Sequence, residues 1–253
     1  MKILTLFVFL FPFFSCAQLQ VLLSGRSTLP SKESPWDNYP TNITGYPAYT
    51  WFVAHGHFGD ARWTNLSGTV GLDLTNEIVG AVPSLQTNVI NSRDALLFDG
   101  IDDYLSCVNY TSAQPHEVWM VLCDTNNGSG KYYFDCDSFT PTRQYLRNSI
   151  YSGYYLNGGA GISATNSLVT NSWFILSVVL NGGSSAIFSN NVEIASGNTG
   201  ANVVGGLVVG NRYTKDTGVN MLLAEMVTFQ TNLNSISRSN LTYAWRNKYA
   251  ISF

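Results

Sequence analysis

Three aspartates lie close together in the segment DALLFDGIDDYLS at 94–106. Asp99, Asp102 and Asp103 could supply the carboxylate oxygens that a calcium ion prefers. The Asp-Gly pair at 99–100 also predicts a tight hairpin turn, because glycine accepts positive φ and aspartate caps its own backbone. Under this second interpretation, Asp99 builds the turn, and the other two aspartates cap the strand that follows.

A second group combines aromatic rings with planar hydrogen-bonding groups. Rings offer platforms for the C–H faces of sugars, while amides and guanidinium groups bind hydroxyls. Strand alternation from 144 to 156 places Tyr145 and Arg147 on one face and Leu146 on the other. A plain cross-strand tyrosine ladder explains the same pattern. The group contains Tyr145, Tyr151, Tyr154, Tyr155, Arg143, Arg147 and Asn157, of which we predict Tyr145, Arg147, Tyr154 and Asn157 as ligand-binding residues.

The amino-terminal residues predict a signal peptide at 1–17. Lys2 precedes an apolar run, and Ser15, Cys16 and Ala17 form a small-x-small cleavage site. The run is shorter than the ~20 residues of a spanning helix. We therefore expect export and no membrane span, with a lipid anchor on Cys16 as the alternative.

Removal of 1–17 would leave three cysteines. Cys123 and Cys136 end two strand-like runs separated by a glycine-rich turn, which favours a disulfide between them, with Cys107 as a buried thiol. The alternative is that all three are reduced and pack as small apolar residues.

Apolar and aromatic runs separated by Gly, Asn and Ser clusters at roughly ten-residue spacing indicate an all-β, two-sheet antiparallel sandwich. A short helix over 234–248, with Asn234 or Ser235 as N-cap, closes the chain. Residues 18–49 read as an irregular lead-in and 50–253 as one domain. Charge is sparse, with 13 Lys and Arg against 16 Asp and Glu. A nucleic-acid binder would carry a clustered basic face, so no nucleic-acid partner is expected.

Four segments together resemble the laminin-G-like jelly rolls of the concanavalin A-like lectin/glucanase superfamily. They are the 94–106 segment, the Trp-led pair of strands at 173–197 with Asn190 and Asn191 at its turn, the Gly-flanked strand at 206–211, and the strand at 222–229 with the closing helix. The resemblance covers about residues 50–251. It implies a jelly-roll sandwich that binds glycans or another extracellular surface component, sometimes with calcium.

Hydrolases of this superfamily typically carry Glu-x-Asp-x-x-Glu along one strand, and this triplet does not occur here. Only Glu117 and Glu225 among the glutamates lie within apolar strands. We therefore expect no catalytic residues. Two alternatives remain: a structural or adhesive sandwich that contacts proteins and has no sugar site, or a polysaccharide-active hydrolase or lyase.

Overall fold

The computed structural model describes residues 43, 45–54, 58–59, 61–125, 128–138, 143–149 and 152–253. The predicted signal peptide at 1–17, Cys16, Tyr151 and most of the lead-in at 18–49 lie outside these residues. The described residues belong to one unit, 35–253.

Seventeen strands, one 3₁₀ turn at Gly182–Ser184 and one α-helix make up the described part of the chain. The strands are β1 Thr50–Val53, β2 Phe58–Gly59, β3 Arg62–Trp63, β4 Leu74–Thr75, β5 Ser84–Ile90, β6 Arg93–Asp99, β7 Leu105–Ser112, β8 His116–Asp124, β9 Tyr132–Asp135, β10 Tyr145–Ser149, β11 Gly153–Asn157, β12 Gly161–Ala164, β13 Trp173–Leu180, β14 Ser185–Ser189, β15 Val192–Gly197, β16 Val204–Val209 and β17 Asn220–Phe229; the helix is α1, Ser235–Tyr249.

The strands form two antiparallel sheets, which confirms the predicted all-β sandwich with a carboxy-terminal helix. Sheet A has the order β15-β14-β13-β8-β17-β6-β5, and β1 pairs with β17 beyond the end of β6. Sheet B has the order β12-β11-β10-β9-β16-β7-β4-β3-β2. Inward side chains of both sheets, such as Phe98 and Leu122 from sheet A and Phe134 and Leu207 from sheet B, form the main core.

The central strands of sheet A are covered on both faces. The inner face of this sheet meets sheet B, and its outer face packs against α1 through Trp119, Val227 and the helical residues Leu241 and Trp245. This explains why every residue of β8 is buried and why its sequence is almost continuously apolar. None of the helices in the described ranges is long and apolar enough to cross a membrane.

Two buried glutamates of sheet A attach α1. Glu117 accepts hydrogen bonds from Trp119 Nε1 at 2.8 Å, from the Leu233 backbone N–H at 2.8 Å and from Arg238 Nη2 at 2.7 Å. Burial raises the pKa of Glu117 to about 7, although the Arg238 charge and the hydrogen bonds from Trp119 and Leu233 act in the opposite direction.

Glu225 makes a parallel set of contacts near the other end of α1. It accepts from Trp51 Nε1 and from the Tyr249 hydroxyl, both at 2.6 Å, and pairs with Lys248 Nζ at 2.8 Å. A buried charge needs a partner and hydrogen bonds to be tolerated, and both glutamates have them. The two acids that stand out in the apolar strands therefore hold the helix on the sheet.

Helix α1 begins where its sequence indicates, and its last turn carries the expected basic residues. The Asn234 side chain accepts from the Ser237 backbone N–H at 2.8 Å, so Asn234 is the N-cap. Ala250 adopts a left-handed conformation at the C-cap, with φ of 52°. Arg246 and Lys248 lie in the last turn, where positive charge suits the helix dipole.

Two predicted turns have different outcomes. Asn190 and Asn191 both have positive φ, 51° and 67°, and join the paired strands β14 and β15 as expected. The Asp99-Gly100 turn forms, with Gly100 at φ of 80°, but the predicted hairpin is wrong. Strand β6 belongs to sheet A and β7 to sheet B, so this turn carries the chain from one sheet to the other.

The predicted disulfide is wrong because the two thiols face different parts of the protein. Cys123 lies on the outer face of sheet A with its neighbours Trp173 and Leu222, whereas Cys136 lies in the main core between the sheets. Cys107, Cys123 and Cys136 are all free and buried. Burial raises the pKa of each thiol, that of Cys136 to about 11. The alternative of three packed thiols is therefore the correct one.

Candidate functional site

The outer face of sheet B carries the candidate site. Helix α1 packs on sheet A, so no described helix covers the outward side chains of β10 and β11, and we call this the open face of sheet B. Tyr145 and Arg147 of β10 are half-buried on this face, and Leu146 between them is fully buried. Antiparallel pairing sets Tyr155 opposite Arg147, and Asn157 opposite Tyr145.

Four tyrosines and two arginines interleave on this face, and we refer to Tyr132, Tyr145, Tyr155, Tyr213, Arg143 and Arg147 as the tyrosine platform. The Tyr145 ring lies 5.2 Å from that of Tyr132 and 6.0 Å from that of Tyr155. The guanidinium carbon of Arg143 lies 4.3 Å from the Tyr145 centroid and 4.8 Å from that of Tyr213. Arg147 stacks on Tyr155 at 4.9 Å. These distances are those of cation–π contacts.

Asp135 fixes the position of Arg143. Its carboxylate accepts from Arg143 Nε at 3.1 Å and Nη2 at 2.8 Å, a two-pronged pairing. It also accepts from the backbone N–H groups of Tyr213 at 3.1 Å and Cys136 at 2.9 Å. Burial raises the pKa of Asp135, while the hydrogen bonds and charge of Arg143 oppose that shift. The positive charge of Arg143 is thus matched within the protein.

A glycine makes room for the Tyr155 ring. A Cβ atom at Gly161 of β12 would lie 2.1 Å from Tyr155 Oη and 2.3 Å from its Cζ. The ring therefore lies directly across the backbone of Gly161. Asn157 Nδ2 donates to Tyr155 Oη at 3.4 Å, so the side chain of Asn157 also contacts this ring.

The structure places Tyr154 away from the site, so its prediction as a ligand-binding residue is wrong. Tyr154 is fully buried in the main core, where its ring lies 5.9 Å from that of Tyr133 and its hydroxyl accepts from the Val169 N–H at 3.2 Å. Successive residues of a strand face opposite sides. Because Tyr154 faces inward, its neighbour Tyr155 takes the outward position. Tyr145, Arg147 and Asn157 lie on the outward face, as the alternation predicts.

The hydroxyl of Tyr145 is held in its protonated form. Burial, with smaller contributions from Tyr132 and Tyr155, raises the pKa of Tyr145 above its ordinary value. A protonated tyrosine hydroxyl can both donate and accept a hydrogen bond. The platform thus combines ring faces with hydroxyl, amide and guanidinium groups, a combination that suits sugar recognition.

The three aspartates predicted as calcium ligands do come together. One carboxylate oxygen of each of Asp99, Asp102 and Asp103 lies within 4.8 Å of those of the other two. Asp99 accepts from the Ile101 N–H at 2.8 Å, and Asp103 accepts from the Asp99 N–H at 2.9 Å, so both also build the turn. Burial raises the pKa of Asp103 to about 6. The hydrogen bond from the Asp99 N–H lowers this pKa, and the negative charges of Asp99 and Asp102 raise it. Calcium binding here stays a prediction.

Sequence reasoning assigned no role to Tyr213 or Gly161 and did not place Asp135 or Tyr132 at this face. Strand alternation could have suggested Tyr132, since it precedes the inward-facing Tyr133. Tyr213 comes from the loop between β16 and β17, and nothing local in the sequence brings that loop to β10.

The fold defines the class of protein as a two-sheet antiparallel β-sandwich with one carboxy-terminal helix. No protein-family model matches the chain, and no curated protein matches it significantly. Solved structures do match. Domain 4 of a GH43 extracellular arabinanase from Geobacillus stearothermophilus, in complex with arabinotriose, has a TM-score of 0.57 at 13% identity, over 78% of this chain and 98% of that domain.

Two further matches belong to larger proteins. Trypanosoma rangeli sialidase matches with a TM-score of 0.58 at 13% identity, over 82% of this chain and 34% of the sialidase. The ligand-binding domain of botulinum neurotoxin serotype D, in complex with N-acetylneuraminic acid, matches with a TM-score of 0.55 at 11% identity, over 79% and 52% of the two chains. This chain thus spans about a third of the sialidase. At these identities the likeness concerns the fold.

Proposed function

We propose that this chain is a secreted, non-catalytic carbohydrate-binding module of laminin-G-like type, and that the tyrosine platform is its binding face. The observation that carries the proposal is the stacking of Tyr145, Arg143 and Tyr155 on the open face of sheet B. Aromatic rings bind the apolar face of a sugar, and the hydroxyl and amide groups beside them bind its hydroxyls. The arabinotriose and N-acetylneuraminic acid complexes of the two matching domains are consistent with this use of the fold.

The positions of the described carboxylates support a non-catalytic role. Glycosidases need two carboxyl groups about 5–10 Å apart across the sugar. Asp135, the carboxylate that pairs with Arg143 of the platform, already accepts four N–H hydrogen bonds. Glu117 and Glu225 lie beneath α1 at the outer face of sheet A, whereas the platform lies on sheet B.

A binding screen on a glycan array, followed by calorimetry on the best glycan, tests the proposal. We expect Tyr145→Ala and Tyr155→Ala each to raise Kd about tenfold, equivalent to about 1.4 kcal/mol. Tyr243→Ala is the matched control, because Tyr243 is an exposed tyrosine on α1, far from the open face of sheet B.

If the wild-type protein binds no glycan on the array, the proposal is refuted and the adhesive, protein-binding alternative is favoured. Binding that survives both platform substitutions would place the sugar site elsewhere on the molecule. Export is tested separately: the secreted protein should begin at Gln18 after cleavage.

A further inference from the structure

Arg147 is the charge on the platform that the described protein does not balance. Arg143 forms an ion pair with Asp135. Lys215, whose ammonium group donates to the Tyr213 carbonyl, forms an ion pair with Asp137. No described carboxylate lies within ion-pair distance of Arg147. Among the residues that the structure describes, the open face therefore presents one guanidinium without a counter-charge.

The Arg147 guanidinium is held in place by packing. It stacks on Tyr155 at 4.9 Å, and its Nη1 atom lies 3.5 Å from the position a Cβ would take at Gly130. It makes no hydrogen bond to another described residue. A guanidinium has five N–H donors in a planar fork, and that fork fits a carboxylate through two parallel hydrogen bonds. Arg147 is thus oriented, with its donors available.

The surroundings of Arg147 suit an anion. The hydroxyl of Tyr145 is protonated and carries no negative charge, while Asp135 is buried and its charge is matched by Arg143. The Tyr145 ring lies 6.0 Å from that of Tyr155, so a sugar ring placed on these two tyrosines would have its substituents within reach of Arg147.

We propose that the platform selects acidic glycans, with the carboxylate of an acidic sugar bound by the guanidinium fork of Arg147 and its ring stacked on Tyr145 and Tyr155. This inference rests on the proposed carbohydrate-binding function and narrows it to one class of ligand. The charge-assisted hydrogen bonds of this pairing should raise affinity for the carboxylated sugar about tenfold or more.

The experiment uses an array that presents uronate and sialylated glycans, each beside its carboxyl-reduced neutral form, with sulfated glycans as a third arm. The wild-type protein should prefer the carboxylated member of a pair about tenfold or more. Arg147→Gln should abolish that preference while leaving the weak binding of the neutral form. Arg147→Lys should lose most of it, because an ammonium group keeps the charge without the planar fork. Arg246→Gln, on α1, is the charge-matched control and should retain the preference.

The outcomes separate this inference from the function on which it rests. Equal binding of acidic and reduced glycans, with Arg147→Gln unchanged, would overturn the acidic-glycan inference and leave the sugar-binding function standing. A preference for sulfated over carboxylated glycans would also overturn it, since sulfate lacks the planar geometry proposed here. Failure to bind any glycan would refute both.

Discussion

Replacing Gly161 by alanine tests directly whether the Tyr155 ring lies where the structure places it. The new Cβ would lie 2.1 Å from Tyr155 Oη and 2.8 Å from Cε2, and such contacts do not occur in folded proteins. The ring must therefore swing away by more than 1 Å to reach about 3.4 Å, an ordinary van der Waals separation. Gly161 itself is exposed, so the added methyl meets no other core residue.

The size of the effect follows from the contacts that the ring makes. Displacement loses stacking with Arg147, about 0.5–1 kcal/mol at an exposed site, and the Tyr145 ring contact, about 0.5–1.5 kcal/mol. Alanine in place of glycine within a strand stabilises by about 0.5–1 kcal/mol. We therefore expect Gly161→Ala to lower the free energy of unfolding by about 0.5–1.5 kcal/mol. In the Tyr155→Ala background, the same change should raise it by about 0.5–1 kcal/mol.

The assay is a double-mutant cycle measured by urea unfolding, which needs no ligand. The coupling free energy between positions 155 and 161 should be about 1–2 kcal/mol. Gly59→Ala is the control, because Gly59 lies in β2 of the same sheet with open space around its Cβ position. It should show no coupling to Tyr155→Ala. Equal effects of Gly161→Ala in both backgrounds would refute the placement of the ring.

Three further predictions concern stability. Burial lowers the pKa of His116 to about 4, below the ordinary 6.5. The neutral imidazole therefore contributes stability above pH 6.5, and this stability is lost as the pH falls towards 4. In urea unfolding, the free energy of unfolding of His116→Gln should fall by about 3 kcal/mol less than that of the wild type over this pH range. Arg238→Gln leaves Glu117 buried and unpaired, and should destabilise by about 3 kcal/mol at pH 8. That loss should be smaller at pH 5, because a carboxyl with a pKa of about 7 or above is then protonated; equal losses at both values would contradict this account. A reductant should leave the melting temperature unchanged, and thiol titration after denaturation should find Cys123 and Cys136 both free.

Local patterns were sufficient for most of the elements. The β-forming runs predicted β8, β13 and β17, and the polar cap at Asn234 with apolar residues at helical spacing predicted α1. Strands β5 and β12 were not predicted, each for its own reason. Ser84–Ile90 is largely exposed and reads as a loop, and Gly161–Ala164 begins with a glycine and contains small residues.

Long-range pairing set the limits of prediction. The Asp-Gly turn at 99–100 is visible in the sequence, but whether the next strand joins the same sheet or the opposite one depends on partners such as Val209, the register partner of Leu105. The mistaken disulfide has a different cause: alternation along β8 turns Cys123 to the outer face of sheet A, away from Cys136 in the main core. Tyr154 and Tyr155 are identical in type and adjacent, so one residue of register decides which of them reaches solvent.

The single carboxylate of Asp135 joins three separate stretches of chain, through N–H donors at Cys136, Arg143 and Tyr213. On the open face of sheet B, Arg143 and Tyr213 are thus fixed by Asp135, whereas Arg147 and Asn157 lie outside this set of contacts. Under the proposed function, substitutions at Arg147 or Asn157 should alter which glycans bind while the contacts of Asp135 stay intact. A change at Asp135 would instead loosen all three stretches together, so variants with altered glycan preference are best sought along β10 and β11.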